Sequence, residues 1–303
     1  LSDPIKEQNT LRLSLMGAAV FVMLALVFAV LTHSDSILFD GVYSLISFCM
    51  ALLTLKVAKL VEKPDDDVFH FGYKAIEPTL NLFKSLIIIV TCVYAVVGAI
   101  NRLMAGGNPA LYQLASVYGL LSTFGCLWVS WVMFRRSKNY HSDLVRVDAK
   151  TWLVDGVLSA AILIGFLSAW WLSNSVWSAW APIVDPLILI LLGLSALPIP
   201  MKIMWESLQE VIHKAPKAGI VDKINQRLTQ SLEGVAYQSV ETRISKRGRG
   251  LYLLAHIIVA DDFNLSSVEE LDEIRAKSHA MLESLYKNIT VDLVFISNPE
   301  FAE

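Results

Sequence analysis

A chain of 303 residues that is 55% hydrophobic and only 17% charged, with a mean hydropathy of +0.54, is too apolar for an ordinary soluble domain, where about a quarter of residues carry charge. It reads as an integral membrane protein. Its 25 Lys and Arg against 28 Asp and Glu give a formal net charge of -3, which leaves no basic field for nucleic acid and excludes that partner.

The first ten residues are polar and carry no leader pattern, so the first apolar run is expected to be a retained span. A bilayer core needs about 20 apolar residues per helix. Six runs qualify: Leu13–Thr32, Ser36–Leu55, Thr79–Ile100, Leu111–Phe134, Leu153–Ser173 and Ala181–Met201. Lys56, Lys59, Lys63 and Lys74 lie between spans two and three, and Arg135, Arg136, Lys138, Arg146 and Lys150 between four and five, whereas the opposite loops hold little beyond Arg102. The positive-inside rule then places both termini in the cytoplasm, the membrane being the cytoplasmic (inner) one. Trp170, Trp171, Trp177 and Trp180 gather at the far ends of spans five and six, where amphipathic rings prefer the headgroup layer. Cys49, Cys92 and Cys126 sit within apolar runs and read as small buried residues.

Past Glu206 the composition turns polar, which divides a transport domain at 1–206 from a cytoplasmic domain at 207–303. Lys217–Gln230 has helical periodicity, Ser239–Ser245 alternates like a strand, and Arg247-Gly-Arg-Gly makes a turn into Leu251–Val259. Ser266 or Ser267 is the expected N-cap of an amphipathic helix to Tyr286, with Glu269 and Glu270 in its first turn, and Thr290–Ile296 is a last strand. The fold class is therefore membrane α-helical, six spans, with a C-terminal αββαβ domain whose sheet has two helices on one face. So small a domain has a modest core, and pairing with a second copy is expected there, the membrane domain being a further surface for it.

Ionisable groups within spans are costly and mark function by default. Asp40 is followed at i+4 by Ser44 in span two, and Thr151 is followed at i+4 by Asp155 in span five. Residues four apart share a helical face, so two carboxylates and two hydroxyls can converge as an oxygen cage for a cation. The plainer alternative is that each Asp caps a helix end or bonds to a neighbour. Hydropathy sets a conflict of depth, because Asp40 and Asp155 fall near opposite membrane faces. They meet only if span five begins well before Leu153, near Asp143. Gly41 and Gly156, each next to its Asp, permit close helix approach and favour that option. Lys84, about two turns into span three, either snorkels to the cytoplasmic face or faces Asp40 or Asp155 as a modulator of the empty site.

With those residues in view the chain resembles the cation diffusion facilitators, proton-coupled metal exporters. The resemblance rests on Asp40 in Ile37-Leu-Phe-Asp-Gly-Val-Tyr-Ser, on Phe71-Gly-Tyr-Lys-Ala-Ile-Glu77-Pro78, and on Asp155-Gly, Asp185-Pro186 and the αββαβ tail. It implies a metal site at Asp40, Ser44, Thr151 and Asp155. Zinc-carrying members resemble one another in Asp-x-x-x-Asp and His-x-x-x-Asp at these places, so here hydroxyls replace half the ligands and the imidazole is gone. Zinc favours nitrogen and sulfur, whereas oxygen sets suit harder ions. Manganese or iron(II) is ranked ahead of zinc, and zinc ahead of magnesium or a monovalent ion.

The loop run Asp65-Asp66-Asp67 reads first as solvated, with a cation-attracting mouth at Asp66, Asp67 and His70 as the alternative. Phe69 and Tyr73 occupy the family's His positions. His256 matches a family metal position in the tail, but Gln238, Ile296 and Asn298 fill the rest of that set, and a lone strand His is more often a core residue than a ligand. The function expected is a homodimeric antiporter exporting a divalent cation against protons. A non-transporting membrane anchor for a regulatory tail is the alternative, and no motif of an enzyme is present.

Overall fold

The structure is a computed structural model that describes residues 4–302 except 62, 64, 65, 141, 142, 249, 261, 262, 265 and 266. Asp65, Arg249 and Ser266, singled out above, lie outside the described residues. Helices run α1 Pro4–Thr32, α2 Asp35–Val61, α3 Ile76–Met104, α4 Tyr112–Tyr140, α5 Asp143–Ser173, α6 Val184–Ala196, α7 Pro198–Val211, α8 Ala218–Ser231 and α9 Val268–Glu283. The strands are β1 Tyr237–Arg247, β2 Gly250–Val259 and β3 Ile289–Ile296. Among the described residues six segments are long and apolar enough to cross a bilayer. Side chains such as Val20, Val30, Ile164 and Trp171 stand outward on them, as a surface solvated by lipid tails requires. Trp170, Trp171, Trp177 and Trp180 at the far ends of spans five and six are exposed.

The helices outrun their apolar runs at several ends, α1 starting at Pro4 and α2 ending at Val61, and two spans differ in ways that bear on the site. Helix α5 starts at Asp143, ten residues before Leu153. Its first turns are polar on average yet amphipathic, since Val145, Ala149 and Trp152 are buried with Cys126, Val129 and Met133 of α4. Span six is not one helix. A short 3-10 turn at Ser178–Ile183 leads into α6, which stops at Ala196, and α7 restarts at Pro198. Pro198 has no N–H for the ladder and its ring would clash with the preceding turn, but at the first position of a new helix it costs little.

The chain falls into two units, residues 1–53 with 84–202, and residues 54–83 with 203–303. In the first, α4 and α5 form the most extensive helix pair, joined by small residues. A Cβ on Gly119 would stand 2.8 Å from Leu163 Cα, and one on Gly156 2.9 Å from Leu127 Cδ2. Between them Ser122 and Ser159 share a hydrogen bond of 2.8 Å. Gly41 serves the same end on α2, where a Cβ would come within 3.1 Å of Ala25 in α1. Gly119→Leu is expected to separate α4 from α5 and cost about 1–3 kcal/mol, read as a lowered melting temperature in detergent.

The first turn of α2 is held from outside its own sequence. Asp185, fully buried at the start of α6, accepts hydrogen bonds from the backbone amides of Asp35 (3.0 Å) and Ser36 (3.2 Å). It also accepts from the hydroxyls of Ser34 (2.8 Å) and Ser36 (2.5 Å), and from Asn108 Nδ2 (2.7 Å). Asn108 donates to His33 O as well, and its amide donates to Pro182 O. Arg102 pairs with Asp35 at 3.2 Å. One carboxylate thus caps α2 and ties together the three connections at that end of the bundle.

In the second unit the sheet order is β1-β2-β3. β1 and β2 are antiparallel, with Ile244 opposite Leu253, and β2 and β3 are parallel, with α9 as the crossover. Ile224 and Leu228 of α8 and Leu282 of α9 bury against Leu253, Ala255, Ile257 and Leu293 of the sheet, the αββαβ arrangement expected. Ser267 occupies the N-cap of α9 in extended backbone, but its side chain makes no capping bond. The stabilising feature is instead Glu269 and Glu270 in the first turn, facing the positive end of the helix.

Candidate cation site

Asp40 is the sixth residue of α2 and half-buried. Gly41 lets α1 approach beside it, and the fully buried Tyr118 of α4 donates its hydroxyl to Asp40 Oδ2 at 2.5 Å. Because α5 starts at Asp143, Asp155 is its thirteenth residue and stands well inside the helix. Asp155 retains accessible surface. A Cβ on Gly156, next to Asp155, would stand 3.4 Å from Cys126 Cβ of α4. Asp40 and Asp155, which hydropathy set at opposite faces, thus both lie beside α4.

The face between them is supplied by α4. Tyr118, Ser122 and Cys126 recur every four residues and lie on one side of that helix. Tyr118 bonds to Asp40, and Ser122 bonds to Ser159, one turn beyond Asp155. Tyr43, three residues after Asp40, lies on the same face of α2. Sequence marks none of these as site residues, Cys126 reading there only as a small buried residue. The available signal was a polar stripe at a spacing of four in an otherwise apolar span. Asp148, seven residues before Asp155 and hence on the same face, is a further acid that sequence reading passed over.

Ser44 is half-buried one turn beyond Asp40, and Thr151 is exposed one turn before Asp155. Lys84 is half-buried in α3 and forms no ion pair with a carboxylate among the described residues.

The other acidic and imidazole candidates are not brought together. Asp66 organises its own loop: Oδ1 accepts from the Val68 and Phe69 amides at 3.0 and 2.8 Å, and Oδ2 from the Tyr73 hydroxyl at 2.5 Å. Tyr73 and then those amides hold the Asp66 carboxyl below the usual carboxylate range. Asp67 offers its carbonyl to His70 Nε2 at 3.1 Å. His256 is buried in β2 opposite Glu241 of β1, with Nδ1 unpartnered among the described residues. Among the described residues no three His, Cys, Asp or Glu side chains cluster as a ready metal cage.

Residues 11–212 match the cation efflux transmembrane domain family. The chain belongs to that family. An uncharacterized transporter of Synechocystis sp. is 23% identical over 266 residues, covering 85% of this chain and 81% of that protein. Members of the cation efflux family are membrane transporters that move divalent metal cations out of a compartment, and the six apolar segments fit that membership.

Proposed function

We propose that this cation efflux protein exports a divalent cation from the cytoplasm in exchange for protons, using Asp40 and Asp155 as charged ligands and Ser44 and Thr151 as neutral ones. The observation that carries this reading is the link from Asp40 of α2 through Tyr118 and Ser122 on one face of α4 to Ser159, one turn beyond Asp155 in α5. Two formal negative charges match a divalent ion, and the same oxygens can hold protons once the ion has left. Cation and proton then compete for one site, and rocking of helices about it presents the site to each side in turn. Tyr118 occupies Asp40 in the empty site and yields to the cation. Both termini and the domain at 207–303 face the cytoplasm of the inner membrane on the Lys and Arg asymmetry. That domain pairs two copies, with membrane contacts as a second surface.

Oxygen donors favour manganese or iron(II) over zinc. Cys126 adds one sulfur nearby, a donor that moves the set away from magnesium. The test is uptake into proteoliposomes across Mn, Fe(II), Co, Zn, Cd and Mg. Manganese or iron(II) should move fastest, and Ser44→Asp with Thr151→His should shift preference towards zinc. An unchanged order of metals in that double variant would contradict the assignment of Ser44 and Thr151.

A further inference from the structure

The second unit holds a pocket of about 340 Å³ between the connection that joins α2 to α3 and the β1–β2 turn. Among the described residues its lining cations are Lys63, Lys74 and Arg247, with His70 beside them, its lining carboxylate is Asp292, and Glu77 lies close to the turn at Gly248. Asp292 is already engaged, accepting from the Tyr252 hydroxyl at 2.6 Å. Arg247 lies over two rings, its Cζ 4.1 Å from the Tyr252 centroid and 5.2 Å from that of Phe71. Such stacking holds a guanidinium in place without using its N–H groups. Arg247 Nε is buried and has no hydrogen-bond partner among the described residues, a condition that costs free energy unless a ligand satisfies it. The turn is built to stay close: Gly248 has φ +58°, and a Cβ there would stand 2.7 Å from Lys74 O.

We propose that this pocket binds an anionic phosphate group, with Arg247 as a fixed planar donor and Lys63 and Lys74 as mobile charges around it. Guanidinium and ammonium groups gathered around a lining carboxylate that Tyr252 already occupies match a phosphate in both charge and donor geometry. Lys63 follows the end of α2 and Lys74 precedes α3, so the pocket adjoins the ends of two membrane segments. Basic pockets at that level take anionic headgroups. A lipid headgroup and a free phosphate present the same chemistry, and the experiment separates them.

Full-length protein is purified in detergent and its melting temperature is followed while three probes are added singly: phosphatidylglycerol, phosphatidylcholine and inorganic phosphate. Retained lipid is counted by native mass spectrometry. Stabilisation by phosphatidylglycerol but not phosphatidylcholine identifies a lipid headgroup, and stabilisation by inorganic phosphate identifies a soluble anion. Arg247→Gln should weaken the effective probe about tenfold, as expected for losing one charge-assisted contact. The exposed pair Lys63→Gln with Lys74→Gln should do the same without disturbing the ring stack, so the test survives if Arg247→Gln fails to fold. No stabilisation by either anion, or equal stabilisation of wild type and the double lysine variant, would overturn the proposal.

Discussion

Asp40→Asn and Asp155→Asn are each expected to abolish cation transport while leaving the protein folded. Asn preserves the volume of Asp, and at Asp40 its amide oxygen can still accept from Tyr118, so the membrane core has no reason to rearrange. What is lost is one of two formal charges facing a divalent ion in a poorly solvated site. Leaving a buried charge without its partner costs about 3–5 kcal/mol, which is on the order of a thousandfold in binding. Equilibrium metal binding to purified protein and uptake into proteoliposomes both read the loss. Ser44→Ala or Thr151→Ala should be milder, since water can stand in for a neutral oxygen at about 0–2 kcal/mol. Wild-type uptake by both Asp→Asn proteins would remove Asp40 and Asp155 from the site.

Asp185→Ala carries the second large effect, on stability. The substitution strands two backbone amides at the start of α2, two serine hydroxyls and the Asn108 amide in a buried setting. Loss of a buried carboxylate with its donors left behind is worth about 3–5 kcal/mol, a fall in melting temperature on the order of ten degrees for a chain of this size. Asp185→Asn keeps the volume but turns an N–H towards donors, so it should fall between Ala and wild type. Because Asp185 fixes the turn of α2 that precedes Asp40, both variants should also weaken cation binding. A shift within about 0.5 kcal/mol, the range of an ordinary surface substitution, would show that the Asp185 hub is dispensable.

Much of the fold was legible because its signals are averages over long segments. Six apolar runs and the αββαβ alternation survive errors of a residue or two at their ends. The misjudged boundaries share a cause: hydropathy reports mean polarity, whereas helix limits follow facing and backbone chemistry. Val145, Ala149 and Trp152 bury one face of a polar stretch and carry α5 back to Asp143. Pro198 breaks a run that is apolar throughout. At the site, Asp40 and Asp155 were conspicuous because charge in a membrane is costly. Tyr118, Ser122 and Ser159 are neutral, and their partners lie 78 and 37 residues away in sequence. Asp185 was read only as part of a family motif, since its donors lie far off along the chain.

The most direct test is proton release coupled to metal entry. Wild-type protein is reconstituted in liposomes containing a pH-sensitive dye, manganese is added outside, and luminal pH and manganese are followed together. Competition for the Asp40 and Asp155 oxygens predicts that manganese uptake and luminal alkalinisation rise together in wild type and vanish together in Asp155→Asn. Manganese uptake with no change in pH, or an undiminished pH change in Asp155→Asn, would contradict it.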